Sequence, residues 1–240
     1  MRFLQLVQER LGVVPASIAV MGKWEPFLPA ERCLEEVGAR AAAALALAEA
    51  LELELEEGSS GPASAIAPYY LSAEARLRGQ DRPGCVMAAE ILARLGADPG
   101  RIRCCPGANR TWNELQVLDR MRGKLGVDNL LLLTARYHVA RTRSLLRELQ
   151  PRLSGAPLVV CAVEDELIQE ALTRLPPSRR QQLEQAIQRG RRGGSTLSPT
   201  LINELVARLG RRFPRLQGLV ADVVRGRPAS TFPPMFRPDI

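Results

Sequence analysis

The pair of side chains in this chain most suited to chemistry on a small anion is His138 with Arg141, three residues later. On a helix that spacing puts both on one face. A guanidinium grips phosphate or carboxylate bidentately. An imidazole, whose charge changes near neutral pH, can donate to the anion or relay a proton. His138 is the only histidine among the 240 residues, so a mechanism needing two imidazoles from one chain, a multi-histidine metal site included, is excluded. The structural alternative is a histidine that caps or orients its loop. Arg136 and Arg143, on either side, are expected to face solvent.

Asn109, Thr111, Asn113 and Glu114 form a second polar group. Thr111 and Glu114 have the Thr-x-x-Glu spacing of a capping box, in which each side chain satisfies a backbone N–H at a helix start. That structural role competes with a catalytic one for Glu114. Cys104 and Cys105 would hold a reactive thiolate if a cation lowered the thiol pKa, but small cysteines in a strand are expected to be core. Trp24 and Trp112 fall in loops expected to face the site, where they either stack on a ring or pack at a loop edge.

The elements that must position these groups follow from apolar periodicity and breakers. Residues 2–12 read as a short amphipathic helix ending at Gly12. Ser17 to Gly22 reads as a buried strand delivering the chain into a ligand-facing loop from Lys23 to Pro29. The stretch from Ala30 to Leu53, rich in alanine and glutamate, predicts a tightly packed helix, closed by the breakers between Glu57 and Pro62. A second strand is expected within Ala65 to Leu71, with Pro68 arguing for an edge position or a bulge. A helix from Gly84 to Leu95 follows, then a strand from Arg101 to Cys105 before a Pro106-Gly107 turn, and a helix from Thr111 to Leu125. Asn129 to Thr134 is the clearest strand, followed by a helix from Tyr137 to Leu149 and a fifth strand over Leu158 to Val163.

Strands alternating with helices predict right-handed crossovers and a doubly wound, mostly parallel five-stranded α/β sheet over residues 1–164. Ligands in such folds collect at the carboxyl ends of the strands. Beyond Glu164 only helices are expected, near 165–173, 178–190, 198–209 and 214–225. They are read as a helical appendage (165–226) before a proline-rich tail (227–240).

The segments Gly107 to Glu114 and Leu131 to Arg141 resemble the paired signature of the YdcF/SanA/ElyC family. The first matches a polar loop opening a helix. The second matches a strand ending in Thr followed by a Tyr-His-x-x-Arg turn, here Thr134, Tyr137, His138 and Arg141. The likeness extends more weakly to Val20 through Gly22, to Arg40, and to Leu71, Ser72 and Ala73, and covers roughly residues 17–165. Lys23 stands in place of a glycine, Ala73 and Glu74 in place of a Gly-Gly pair, and Cys105 in place of an acid. Asn113 and Glu114 invert a Glu-Asn order, and no acid opens the Gly84 helix. The resemblance implies a Rossmann-like fold, an association with S-adenosylmethionine and with bacterial envelope maintenance, and a divergent member. Its implied site takes Gly22, Lys23, Ser72, Asn109, Thr111, Asn113, Thr134 and Arg141 as ligand-binding residues, with His138 and Glu114 as the catalytic candidates.

Composition narrows the setting. At 46% hydrophobic and 25% charged residues the chain is expected to fold. No apolar run is long enough to span a bilayer, and polar residues interrupt the N-terminal stretch, so a cytoplasmic location is expected. Five cysteines without CxxC spacing indicate reduced thiols, and no metal site is expected. A net charge of +7 is consistent with attraction to an anionic partner or with a merely basic surface. Arginines at 179–180, 189, 191–192 and 211–212 would contact RNA or an acidic protein under an alternative reading, in which the core is only a scaffold. Neither GxxxxGK[ST] nor GxGxxG follows the first strand. The expected ligand is an anionic or nucleoside-containing small molecule, and no reaction is assigned.

Overall fold

In the computed structural model, residues 2–22, 30–58, 68–76, 80–149 and 158–193 are described. Lys23, Trp24, the helices expected near 198–209 and 214–225, and the expected tail lie outside those residues.

Five strands form one parallel sheet: β1 (Ser17–Val20), β2 (Tyr69–Glu74), β3 (Ile102–Ala108), β4 (Leu130–Thr134) and β5 (Val159–Ala162), in the order β3-β2-β1-β4-β5. The described helices are α1 (Phe3–Leu11), α2 (Ala30–Gly58), α3 (Gly84–Arg94), α4 (Thr111–Leu125), α5 (Arg136–Leu149), α6 (Glu166–Arg174) and α7 (Pro177–Gly193), with a 3-10 turn at Pro99–Arg101. This is the doubly wound α/β architecture that the alternation of elements predicts. Parallel strands need crossovers, so both faces of the sheet are covered and the strands read as unbroken apolar runs. One core joins Ile18, Val20, Leu131 and Leu133 to α1, α2, α3, α6 and α7. The other joins Ala19, Leu71, Leu130 and Leu132 to α4 and α5.

The alanine run of α2 is packed on every side, with Ala41, Ala42, Ala43, Ala44, Ala46 and Ala48 fully buried. Small side chains let neighbouring backbones approach closely. α7 makes use of this: a Cβ on Gly190 would stand 2.4 Å from the Ala39 Cβ and 2.5 Å from the Glu35 carbonyl oxygen. α6 and α7 are the described part of the expected appendage. Their Leu167, Ile168, Leu172, Leu183 and Ile187 lie in the same core as α2.

Two local expectations are corrected. β2 is an interior strand, between β1 and β3, and starts one residue after Pro68. The proline therefore stands outside the ladder, where its missing N–H costs nothing. The Pro106-Gly107 signal does not end β3, which continues to Ala108. From the pair Ser72 and Cys104 to the pair Glu74 and Ala108, β2 advances two residues while β3 advances four. The breaker residues thus produce an irregularity in the outermost strand, where a proline is tolerated.

Gly190→Ala is expected to force α2 and α7 apart and to cost about 1–3 kcal/mol in urea unfolding. Gly123→Ala, at an α4 position with nothing within 4 Å of the added methyl, should instead stabilise by about 0.5–1 kcal/mol.

Candidate functional site

The strand order reverses between β1 and β4, because α2 carries the chain from β1 toward β2 while α5 carries it from β4 toward β5. At such a switch point the two connections diverge and leave a crevice outside the carboxyl ends of the strands. Most of the buried polar side chains gather at that edge: Glu36, Arg40, Ser72, Glu74, Gln80, Glu114 and Thr134.

Arg40 organises the end of β1. Its side chain, 1% exposed, comes from α2. Its Nη1 donates to the Met21 carbonyl at 2.6 Å and to the Gly22 carbonyl at 2.8 Å. Its Nη2 donates to Glu36 Oε2 at 3.2 Å, one helical turn earlier. The same carboxylate oxygen accepts the Tyr137 hydroxyl at 2.7 Å. The turn after β4 is thereby tied to the turn after β1 through two side chains of α2. A buried ion pair is costly unless further hydrogen bonds support it, and here two carbonyls take the Arg40 Nη1 and a phenol donates to Glu36, while the Arg40 Nε is buried with no partner among the described residues.

Glu114 reaches the same place from the opposite face. The Gly22 N–H donates to its Oε1 at 2.8 Å. The expected capping box is not formed. Arg110 is the N-cap of α4 and Thr111 its first helical residue, and the N-cap makes no side-chain hydrogen bond. Thr111 is one position too late to cap, which leaves Glu114 to point across to β1.

Glu74, notable in the sequence only as a departure from Gly-Gly, is the third acid of this edge. Its carboxyl lies over the first residue of α3 and beside Gly22. A Cβ on Gly84 would meet Glu74 Oε2 at 1.8 Å, and one on Gly22 would meet it at 2.7 Å. Both positions are glycine because Glu74 fills the space. A fourth acid, Glu164, accepts the Arg136 N–H at the start of α5 at 2.9 Å. Helix starts and glycine turns are ordinarily where an anion would be cradled by N–H groups. Here carboxylates of the chain itself occupy several of those places.

Gly22, Ser72, Asn109, Thr111, Asn113, Thr134, His138 and Arg141 all belong to the carboxyl ends of strands or to the segments that leave them. Thr134 is buried and its carbonyl accepts the Val163 N–H at 2.9 Å. Ser72 is buried on β2, and its Oγ has no hydrogen-bond partner among the described residues. His138 is half-buried on the first turn of α5 and packs edge-on against Tyr137, ring centroids 4.4 Å apart. Its carbonyl accepts the Thr142 hydroxyl at 3.0 Å. Arg141 is half-buried one turn further along. Trp112 is the second residue of α4, not a loop residue as expected, and is partly buried against the core that α4 and α5 form. Cys104 is exposed, contrary to the expected core position. Arg136 and Arg143 are exposed as expected.

The basic C-terminal stretch is partly neutralised within the chain. Arg179 holds both oxygens of Glu49, which keeps its pKa raised, and Arg180 pairs with Glu184 at 3.3 Å. No described helix is long and apolar enough to cross a membrane.

Glu114→Ala, which strips the Gly22 N–H of a charged acceptor, is expected to cost about 1.5–3 kcal/mol. Glu114→Gln keeps an oxygen there and should cost far less, as read by denaturant unfolding of both variants. A second cycle concerns Glu74. Gly84→Ala alone should destabilise by about 1–3 kcal/mol, and adding Glu74→Ala should recover most of that loss, a non-additivity that unfolding of the four chains would reveal.

No family model, no curated protein and no solved structure matches this chain.

Proposed function

We propose that the chain binds a small molecule, anionic or nucleoside-containing, in the crevice between the carboxyl ends of β1 and β4. One observation carries this reading: charged and polar side chains from α2, β2, α4 and the β4–α5 turn are buried together where the strand order reverses. Burying such groups costs several kcal/mol per charge, a cost that a purely structural core avoids. Arg141 meets the anionic group of the ligand. His138 positions it or exchanges a proton with it, and Glu114 with Thr111 shapes the opposite wall.

The acids at this edge refine the ligand. Glu114 takes the Gly22 N–H, Glu164 takes the Arg136 N–H, and Glu74 covers the start of α3. A bare phosphate would meet repelling carboxylates where it needs donors. A molecule bringing its own donors or positive charge beside one anionic group fits better, and this favours the nucleoside-containing class. S-adenosylmethionine, which the resemblance to the YdcF/SanA/ElyC family implies, has that character. Arg141 would hold its carboxylate, and the Glu74 and Glu114 wall would suit its ammonium and ribose hydroxyls. When bound, such a molecule supplies an electrophilic methyl group. The proposal places the chain in the cytoplasm, where cysteines such as its free Cys33, Cys85, Cys104, Cys105 and Cys161 stay reduced.

Thermal-shift screening followed by calorimetry with S-adenosylmethionine, nucleotides and sugar phosphates tests the proposal. A ligand is expected whose affinity falls roughly tenfold to a hundredfold in Arg141→Ala, the loss of a charged hydrogen bond. Binding unchanged in both Arg141→Ala and His138→Ala would overturn it. So would the absence of any ligand together with a strongly salt-dependent association with RNA or an acidic protein, which is the behaviour of a macromolecule-binding scaffold.

A further inference from the structure

Away from the crevice, the outer strand carries a thiol that the site does not use. Cys104 is exposed on β3, and its Sγ stands 3.2 Å from the backbone oxygen of Cys85. Cys85 is the second residue of α3 and is fully buried. An accessible thiol thus lies against the residue that carries a sheltered one, within the β2–β3 crossover. Cys105 is partly buried and packs on the opposite face of the sheet, in the core formed with α4 and α5. Cys33 and Cys161 are buried.

We propose that Cys104 and Cys85 form a redox pair, in which a hydroperoxide oxidises Cys104 and Cys85 resolves the product to a disulfide. The Cys104 thiolate attacks the peroxide: a sulfur–oxygen bond forms, the oxygen–oxygen bond breaks, and an alkoxide or hydroxide leaves and takes up a proton. Sulfur is oxidised to a sulfenic acid and the peroxide is reduced to an alcohol or water. The Cys85 sulfur then attacks the Cys104 sulfur, forming the disulfide and releasing water. The hydrogen bond from the Cys85 thiol stabilises the Cys104 thiolate and lowers its pKa to about 7, against the desolvation that opposes it. Cys85 is pushed the other way, first by that same hydrogen bond and then by burial, and so remains a protonated donor until the sulfenic acid forms. The pair therefore divides its roles by environment, the exposed sulfur meeting oxidant and the buried one closing the bond.

The location gives the disulfide a consequence. Cys85 follows Gly84, which packs against Glu74, and Cys104 faces Ser72 in the ladder. Oxidation would fasten the outer strand to the first turn of α3 beside one wall of the crevice. The chemistry itself is independent of any ligand in that crevice.

The test is titration of the reduced full-length protein with one equivalent of hydrogen peroxide near pH 7.5, followed by non-reducing peptide mapping. A Cys85–Cys104 linkage is expected, with loss of two free thiols that dithiothreitol restores. In Cys85→Ser the same treatment should leave a sulfenic acid on Cys104 that a dimedone probe captures, and Cys104→Ser, an exposed change that spares the core, should abolish both products. A linkage to Cys105 or to a second chain, or oxidation of Cys104 no faster than of Cys105, would overturn the proposal.

Discussion

Arg40 leaves α2 to grip the two carbonyls that follow β1, and the remainder of the edge depends on this contact. A strand that stops at the rim of a sheet presents carbonyls with no ladder partner, and a buried carbonyl without a donor is costly. One guanidinium satisfies two of them and also holds Glu36. The arrangement requires α2 to lie against β1, which its alanines permit, and fixes the chain where it leaves β1. Through Glu36 and the Tyr137 hydroxyl, the same contact reaches the turn that carries His138. The two sides of the switch point are therefore positioned by one network, so a displacement of α2 would be felt at both.

Acids give that edge its character. In many doubly wound sheets the donors at glycine turns and helix starts face an external anion. In this chain Glu114 and Glu164 accept such donors from Gly22 and Arg136, while Glu74 packs over Gly84. Self-satisfaction of this kind offsets the cost of burying the N–H groups. Arg141 and His138 lie along the first turns of α5.

The fold was largely legible because strands buried on both faces are written as apolar runs, with Leu130 to Leu133 the clearest, and because Gly12, Gly96 and Gly126 mark chain turns with positive φ. Errors arose where one residue type serves two ends. Pro68 stands just before an interior strand, and Pro106 with Gly107 bends an outer strand without stopping it, and spacing alone does not separate these from a turn. The run from Thr134 to Arg141 lies where β4 ends and α5 begins, beside the buried polar groups. Glu36 and Glu74 could not be found by motif, since their roles come from tertiary contact with Tyr137, Gly22 and Gly84. A retrievable signal did exist for Glu74, an acid at the end of an apolar strand where the resemblance called for glycine. The capping box failed for a similar reason: its spacing was right, but the helix began one residue earlier than the box requires.

Amide hydrogen exchange by NMR, comparing the parent chain with Arg40→Met, tests most directly whether this one contact holds the edge together. Methionine keeps much of the buried stem and removes the donors. Protection is expected to fall sharply at Gly22 and at the first turn of α5 around Tyr137, while the amides of α6 and of the middle of β4 keep theirs. Unchanged exchange at Gly22 and Tyr137 would contradict the account, because the end of β1 and the turn after β4 would then be held by something other than Arg40.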